Sequence, residues 1–202
     1  MPTTGKSFRA GTAKRHVLSG GMVNRRWTLF LDRDGVLNER PINDYVKGLS
    51  DFVWKEGALE GLAGLSQIFG TIVVVTNQQG IGKGLMTADD LELIHKKMLQ
   101  EANEAGGRID KVYYCGELAS TRSFYRKPAV GMGLLARKDF PQICFSHSVM
   151  VGDTLSDMRF GKRLKMHTVL IGSDLSLARE YPRMVDLGFA DLNGFLHYLQ
   201  KG

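Results

Sequence analysis

The chain has 202 residues, 43% hydrophobic and 24% charged, which suits one domain with a sizeable buried core. Nothing in it approaches the roughly 18 consecutive apolar residues of a membrane span, and Cys115 and Cys144 stand far apart without a CxxC, as expected in the reducing cytoplasm. The net charge of +6 resides in residues 1–26, where Lys6, Arg9, Lys14, Arg15, Arg25 and Arg26 meet no acid; the remainder balances 21 basic against 21 acidic groups, which argues against a nucleic-acid-binding face and a nucleic-acid partner.

Residues 1–26 are rich in Gly, Ser and Thr and lack hydrophobic periodicity, so a basic, poorly ordered tail is expected ahead of one domain spanning 27–202. The first strand is predicted at Trp27–Leu31. A helix follows over Gly57–Phe69, with Leu59, Leu62, Ala63 and Leu65 near helical spacing, then a strand over Thr71–Thr76. Thr87 and Asp89–Asp90 open the next helix, Leu91, Ile94, Met98 and Leu99 form its apolar face, and Gly106–Gly107 ends it. Further strands are predicted at Lys111–Cys115, Ser148–Val151 and His167–Ile171, and further helices at Gly131–Phe140, Leu155–Leu164 and Asp191–Leu199. Several strands are apolar on both parities, as in a parallel sheet covered on both faces. The alternation predicts an α/β, Rossmann-like, doubly wound fold with a mainly parallel sheet.

Such sheets bind ligands outside the carboxyl ends of their strands. Asp32-Arg33-Asp34-Gly35 follows the first strand, and Thr76-Asn77 ends the second. Arg126-Lys127-Pro128 precedes the third predicted helix, and Gly152-Asp153-Thr154-Leu155-Ser156-Asp157 follows the fourth strand. Each segment alone reads equally well as a turn, a helix cap or a solvated loop. Four of them at strand ends would gather carboxylates, a hydroxyl, an amide and cations at one edge of the sheet.

The segments "LDRDGV", "VVVTN", "RKP" and "VGDTLSD" together resemble the motifs of the haloacid dehalogenase superfamily of phosphohydrolases over about residues 27–172. "DRDGVLN" and "VTNQQGIGKG" further resemble its branch of histidinol-phosphate and heptose-bisphosphate phosphatases. The resemblance implies hydrolysis of a small phosphorylated metabolite through an aspartyl-phosphate, with Asp32 as nucleophile. It implies Mg2+ held by Asp32, the carbonyl of Asp34 and Asp153. Lys127 would neutralise the transferring group, and Thr76 and the Asn77 amide would bind phosphoryl oxygens. Asp34, close to a second acid, would hold a proton for the leaving oxygen and later activate water. Asp157 would orient Lys127 or the metal shell, or simply start a helix. Arg126 is the candidate reader of the substrate.

About 40 residues separate Asp34 from Thr76 and about 50 separate Asn77 from Lys127, too few for an independent cap domain. "GIGKGLMT" lacks the Gly-x4-Gly-Lys-Ser/Thr spacing of a P-loop, so Lys83 is either solvated or meets a second anionic group. The resemblance would place a zinc loop before Arg126, but Cys115 is the only Cys or His between Lys111 and Lys127, so no zinc site is expected. Packing by Tyr113, Phe124 and Tyr125 would hold that loop instead. A heptose 1,7-bisphosphate losing its 7-phosphate is the favoured substrate and histidinol phosphate the alternative. A catalytically silent binding or regulatory protein on the same fold is the competing class.

Overall fold

The computed structural model describes residues 8–9, 18, 21–41 and 44–201. Its strands, in chain order, are β1 (Phe8–Arg9), β2 (Thr28–Leu31), β3 (Thr71–Asn77), β4 (Lys111–Cys115), β5 (Ser148–Gly152), β6 (His167–Ile171) and β7 (Leu187–Phe189). They form one sheet in the order β1-β7-β6-β5-β2-β3-β4, parallel except for the β1–β7 pair. The helices are α1 (Ala58–Ile68), α2 (Gln79–Gly82), α3 (Ala88–Glu104), α4 (Gly131–Asp139), α5 (Leu155–Arg163), α6 (Ser176–Glu180) and α7 (Leu192–Gln200).

The period-2 alternation of the strands divides the core between the two faces. Leu29, Leu31, Ile72, Val74, Val149 and Val151 pack against Leu62 and Leu65 of α1, Ile94 and Met98 of α3 and Phe195 of α7. Their strand neighbours Phe30, Val73, Val75 and Met150 point the other way, onto Met132 and Ala136 of α4 and Phe160 of α5. Both faces are therefore dry, which is why β2, β3 and β5 read as unbroken apolar runs. Truncating a side chain such as Phe30, fully buried here, costs about 3–5 kcal/mol.

The five expected strands and five expected helices all form, with ends shifted by a residue or two. Four elements escaped the sequence reading, namely β1, α2, α6 and β7, each of five residues or fewer and too short for periodicity to reveal. No independent cap domain interrupts the described residues. Between Asp34 and Thr76, the chain apart from a 3-10 turn at Leu49–Asp51, α1 and the start of β3 is loop in its described residues; between Asn77 and Lys127 it is occupied by α2, α3, β4 and a turn at Ala119–Thr121.

The expected tail needs correction where it is described. Phe8–Arg9 extends the sheet along β7, Leu18 and Val23 are buried in the first core, and residues 21–26 form turns leading into β2. The open edge of β7 provides a backbone partner, and Leu18 and Val23 provide apolar surface to bury. The rest of residues 1–20 lies outside the described residues.

Candidate active site

β3, β2 and β5 are neighbours in the sheet, so their carboxyl ends set Thr76–Asn77, Asp32 and Gly152–Asp153 side by side. The chain adds β3 and β4 on one side of β2 and then crosses to add β5 on the other, which opens a crevice at this point. The Arg126–Lys127 loop is tied back to β3 by Asn77, whose Nδ2 donates to the Lys127 carbonyl at 3.0 Å. Its Oδ1 accepts from the Lys127 N–H at 2.9 Å. The Asn77 side-chain amide is thus engaged in positioning Lys127.

Lys127 is 3% exposed. Its Nζ lies 2.9 Å from Asp32 Oδ1 and 2.6 Å from Asp157 Oδ1, and it donates to the Val75 carbonyl at 2.6 Å. Burial alone would neutralise such an ammonium, but the Asp157 and Asp32 carboxylates hold its pKa above the ordinary lysine value. Asp157 combines both roles considered for it. One oxygen meets Lys127; the other accepts from the Thr154 N–H at 3.0 Å in a capping box that starts α5. Gly152 makes room for this arrangement, since a Cβ there would lie 2.2 Å from the Asp157 Cβ.

Asp32, Asp153 and Asp157 bring ligand-capable oxygens within 4.8 Å of one another. Burial, then the charge of Asp157, raises the Asp32 pKa to about 6 against the pull of Lys127. Burial and the charge of Asp32 raise Asp153 to about 7 against Arg40. Arg40 marks where these acids seek a cation. Its Nη2 is 2.8 Å from Asp153 Oδ1, 2.9 Å from the Asp34 carbonyl and 3.7 Å from Asp32 Oδ2. The three oxygens expected to hold Mg2+ therefore converge on one positively charged nitrogen. Two carboxylates and a carbonyl are hard donors of the kind Mg2+ takes, so the site fits that ion. Gly35 sits at φ +88°, and a Cβ there would be 2.0 Å from Asp153 Oδ2, so the turn after Asp34 needs glycine for both conformation and space.

Asp34 departs from expectation. Its immediate partners are donors: Arg33 Nη2 is 2.9 Å and 3.1 Å from its two oxygens, Asn38 Nδ2 donates at 3.0 Å and Gln78 Nε2 at 2.8 Å. Burial would raise its pKa, but the Arg33 charge and these hydrogen bonds bring it below the usual carboxylate value, so this acid is ionised. Arg33 itself is fully buried, held by Asp34, Gln78 Oε1 at 3.1 Å and His95 Nε2 at 3.3 Å. Burial and the adjacent guanidinium push His95 down to about 3, leaving a neutral imidazole.

Asp32, Asp34, Thr76, Asn77, Arg126, Lys127 and Asp157 all line one cavity of about 990 Å3, while Asp153 meets it through Arg40. Thr76 Oγ1 accepts from Gln78 Nε2 at 2.8 Å, which leaves its own proton free to donate. Sequence reasoning missed Arg33, Asn38, Arg40, Gln78 and His95. Arg33, Asn38 and Gln78 stand inside quoted motifs, and an arginine between two acids at a buried strand end was the available signal. Nothing in the spacing of Arg40 or His95 reveals them.

The loop before Arg126 is held by polar contacts rather than by the three aromatics. Tyr113 lies in the core beneath α4, and Phe124 and Tyr125 are 55% and 42% exposed. Instead, Ser123 Oγ donates to Glu117 at 2.6 Å, Thr121 Oγ1 to the Leu118 carbonyl at 2.8 Å, and the Ala119 N–H to Gln79 Oε1 at 2.9 Å. Cys115 is buried at the end of β4, and Cys144 is exposed near the start of β5.

A family model described as HAD-hydrolase-like matches residues 124–188. The D-glycero-alpha-D-manno-heptose-1,7-bisphosphate 7-phosphatase of Mycobacterium bovis is 41% identical over 136 residues, 67% of this chain and 72% of that protein. The D-glycero-beta-D-manno-heptose-1,7-bisphosphate 7-phosphatase of Helicobacter pylori is 33% identical over 175 residues, 82% of this chain and 99% of that protein. Among solved structures, the D,D-heptose 1,7-bisphosphate phosphatase of B. bronchiseptica, complexed with magnesium and phosphate, superposes with a TM-score of 0.76 at 26% identity. That match covers 87% of this chain and 98% of the other.

Proposed function

The chain belongs to the haloacid dehalogenase superfamily of hydrolases, and from that premise we propose that it is a Mg2+-dependent phosphatase that takes the 7-phosphate from a heptose 1,7-bisphosphate. The observation that carries this reading is the joining of Asp32 to Lys127 beside three oxygens gathered on one cation. Asp32, the Asp34 carbonyl and Asp153 would hold a divalent ion, which when bound would supply neutralisation of charge on the phosphoryl oxygens.

Asp32 attacks phosphorus and forms the phosphoaspartyl intermediate. Lys127, kept charged by Asp157, faces the nucleophile and takes up negative charge that develops on the transferring group. The Thr76 hydroxyl donates to a phosphoryl oxygen, and Asn77 keeps Lys127 in register with β3. The ionised Asp34 suits the second step, in which a base takes a proton from the water that splits the intermediate. Donation to the leaving oxygen in the first step needs that carboxyl protonated, and the arriving dianionic phosphate is the charge that raises it. Arg126, on the cavity wall, contacts the sugar side of the substrate. Residues 27–202 carry the catalytic groups, and Phe8–Arg9, Leu18 and Val23 join the same sheet and core. Two free cysteines support a cytoplasmic location, and no helix among the described residues is long and apolar enough to cross a membrane.

Specificity constants measured on a panel of heptose 1,7-bisphosphate anomers, histidinol phosphate and simple sugar monophosphates test the substrate. The heptose bisphosphates should lead by at least about tenfold, or 1.4 kcal/mol of barrier; a lead for histidinol phosphate would overturn the assignment. Substrate turnover should also leave an acid-stable, hydroxylamine-sensitive adduct on Asp32. Asp32→Asn should lose both adduct and turnover while remaining folded.

A further inference from the structure

A second cavity, of about 750 Å3, lies at the opposite edge of the sheet from the catalytic groups. Trp27 just before β2, Thr71 at the start of β3, His147 just before β5 and His167 at the start of β6 line it, so it opens at the amino ends of the strands. Its volume falls in the range of whole-ligand sites. Arg25, Arg26 and Cys144 are also on its wall, and among the described residues no carboxylate lines it.

Cys144 is exposed, and it belongs to a cluster. Its Sγ lies 3.2 Å from Ser146 Oγ and 3.4 Å from His147 Nδ1. Hydrogen bonds to the sulfur from Ser146 and then His147 bring the thiol pKa down to about 7. The His147 ring packs edge-on against Trp27, centroids 5.4 Å apart and planes at 83°. Arg25 and Arg26 directly precede Trp27, as the central residues of a turn closed by the Trp27 N–H donating to the Asn24 carbonyl at 2.8 Å. Both arginines are exposed, and neither side chain makes a hydrogen bond or ion pair among the described residues. An accessible thiol beside a histidine and unpaired cations is the surrounding in which cysteines react. The chain's other cysteine, Cys115, is buried at the carboxyl end of β4, whereas Cys144 precedes the amino end of β5. No second thiol of this chain can reach Cys144, so a disulfide partner has to come from solution.

We propose that Cys144 is a modification site that forms a mixed disulfide with a small carboxylate-bearing thiol, seated in this cavity with its carboxylates toward Arg25 and Arg26. The incoming reagent is the symmetric disulfide of that thiol. His147 Nδ1 takes the Cys144 proton, and the thiolate attacks one sulfur of the reagent. The new S–S bond forms as the old one breaks, and the other half leaves as a thiolate that takes the proton from His147. Cys144 is oxidised and the departing half reduced, with no further co-reactant. None of these groups belongs to the phosphatase site, so the inference stands independently of that reading.

Intact-protein mass spectrometry at pH 7 and constant ionic strength tests this with two probes, the anionic glutathione disulfide and the neutral bis(2-hydroxyethyl) disulfide. Each should add one thiol unit to the chain and none to C144S. R25Q/R26Q, at exposed positions, should slow the anionic probe at least about fivefold and leave the neutral one within about twofold. The neutral probe thereby doubles as a check that the variant is folded, and R25K/R26K should restore most of the anionic rate. H147Q should slow both probes alike by at least about threefold, since it acts on the sulfur and not on the reagent's charge. An adduct that persists in C144S, rates unchanged in H147Q, or arginine substitutions that slow both probes equally or neither would overturn the site.

Discussion

Arg40→Gln should weaken the protein and strengthen its hold on a divalent cation at the same time. The Arg40 Nη2 contacts run to Asp153 Oδ1 at 2.8 Å, the Asp34 carbonyl at 2.9 Å and Asp32 Oδ2 at 3.7 Å. The Arg40 side chain is 45% exposed, so water screens these contacts and each contributes about 0.2–1 kcal/mol, or about 1–2 kcal/mol together. In a domain of this size about 1 kcal/mol moves Tm by 2–4 °C. The variant in chelator should therefore melt roughly 2–8 °C below the parent. A cation taking those oxygens has to displace the guanidinium, so the same 1–2 kcal/mol opposes metal in the parent. Without it the Mg2+ affinity should rise about 5- to 30-fold. Calorimetric titration with Mg2+ gives the affinities, and melts with and without Mg2+ give the stabilities; the Tm gap should close at saturating metal. The reasoning fails if Arg40→Gln binds Mg2+ no more tightly than the parent, or if its Tm deficit persists at saturation.

Asp153 ionises near 3.8 in the unfolded chain and near 7 in the folded one. Between those values the folded state keeps a proton that the unfolded state has lost, so this group's contribution to metal-free stability falls as pH rises from about 4 to 7. Melts in chelator should show a shallower decline over that window in Asp153→Asn, and Mg2+ should raise the parent's Tm more at pH 8 than at pH 5; identical pH slopes for both proteins would contradict this. Gly35→Ala places a Cβ 2.0 Å from Asp153 Oδ2 at φ +88°. It should lower Mg2+ affinity at least about tenfold, the 1.4 kcal/mol equivalent of a modest displacement of that carboxylate, and unchanged affinity in a titration would show that the turn yields instead. Arg33→Met removes a fully buried guanidinium from its pair with Asp34, whose side chain is 18% exposed, and should cost about 3 kcal/mol, the lower end for a broken buried pair. Denaturant unfolding measures that loss, and one below about 1 kcal/mol would mean that Asp34 finds other compensation.

The α/β architecture was legible because burial on both faces of a parallel sheet leaves an unmistakable mark on β2, β3 and β5. The helices between them carry their own period and caps, as at Thr87 and Thr154. The edge pairing of Phe8–Arg9 with Leu187–Phe189 was not legible. Two- and three-residue strands have no period to detect, and their pairing is chosen by what edge lies open in the folded sheet.

At the site, Asp32, Thr76 and Asp153 could be singled out in advance because strand ends in such a sheet meet at one edge, whereas Lys127, in the loop before α4, was singled out by the motif resemblance. Electrostatic character could not be read in this way. Two acids two residues apart suggested that Asp34 would hold a proton, yet Arg33 turns inward to Asp34 and lowers its pKa, while Asp153, far along the chain, is raised by burial and then by the charge of Asp32. Arg40, six residues beyond Asp34, reaches Asp153 across 113 positions of chain. A carboxylate's charge state depends on the few ångströms around it, which are filled by residues that only the completed fold brings near. Sequence alone determined which chemical groups stand at the end of each strand; tertiary structure decided which of them touch, and hence which are charged.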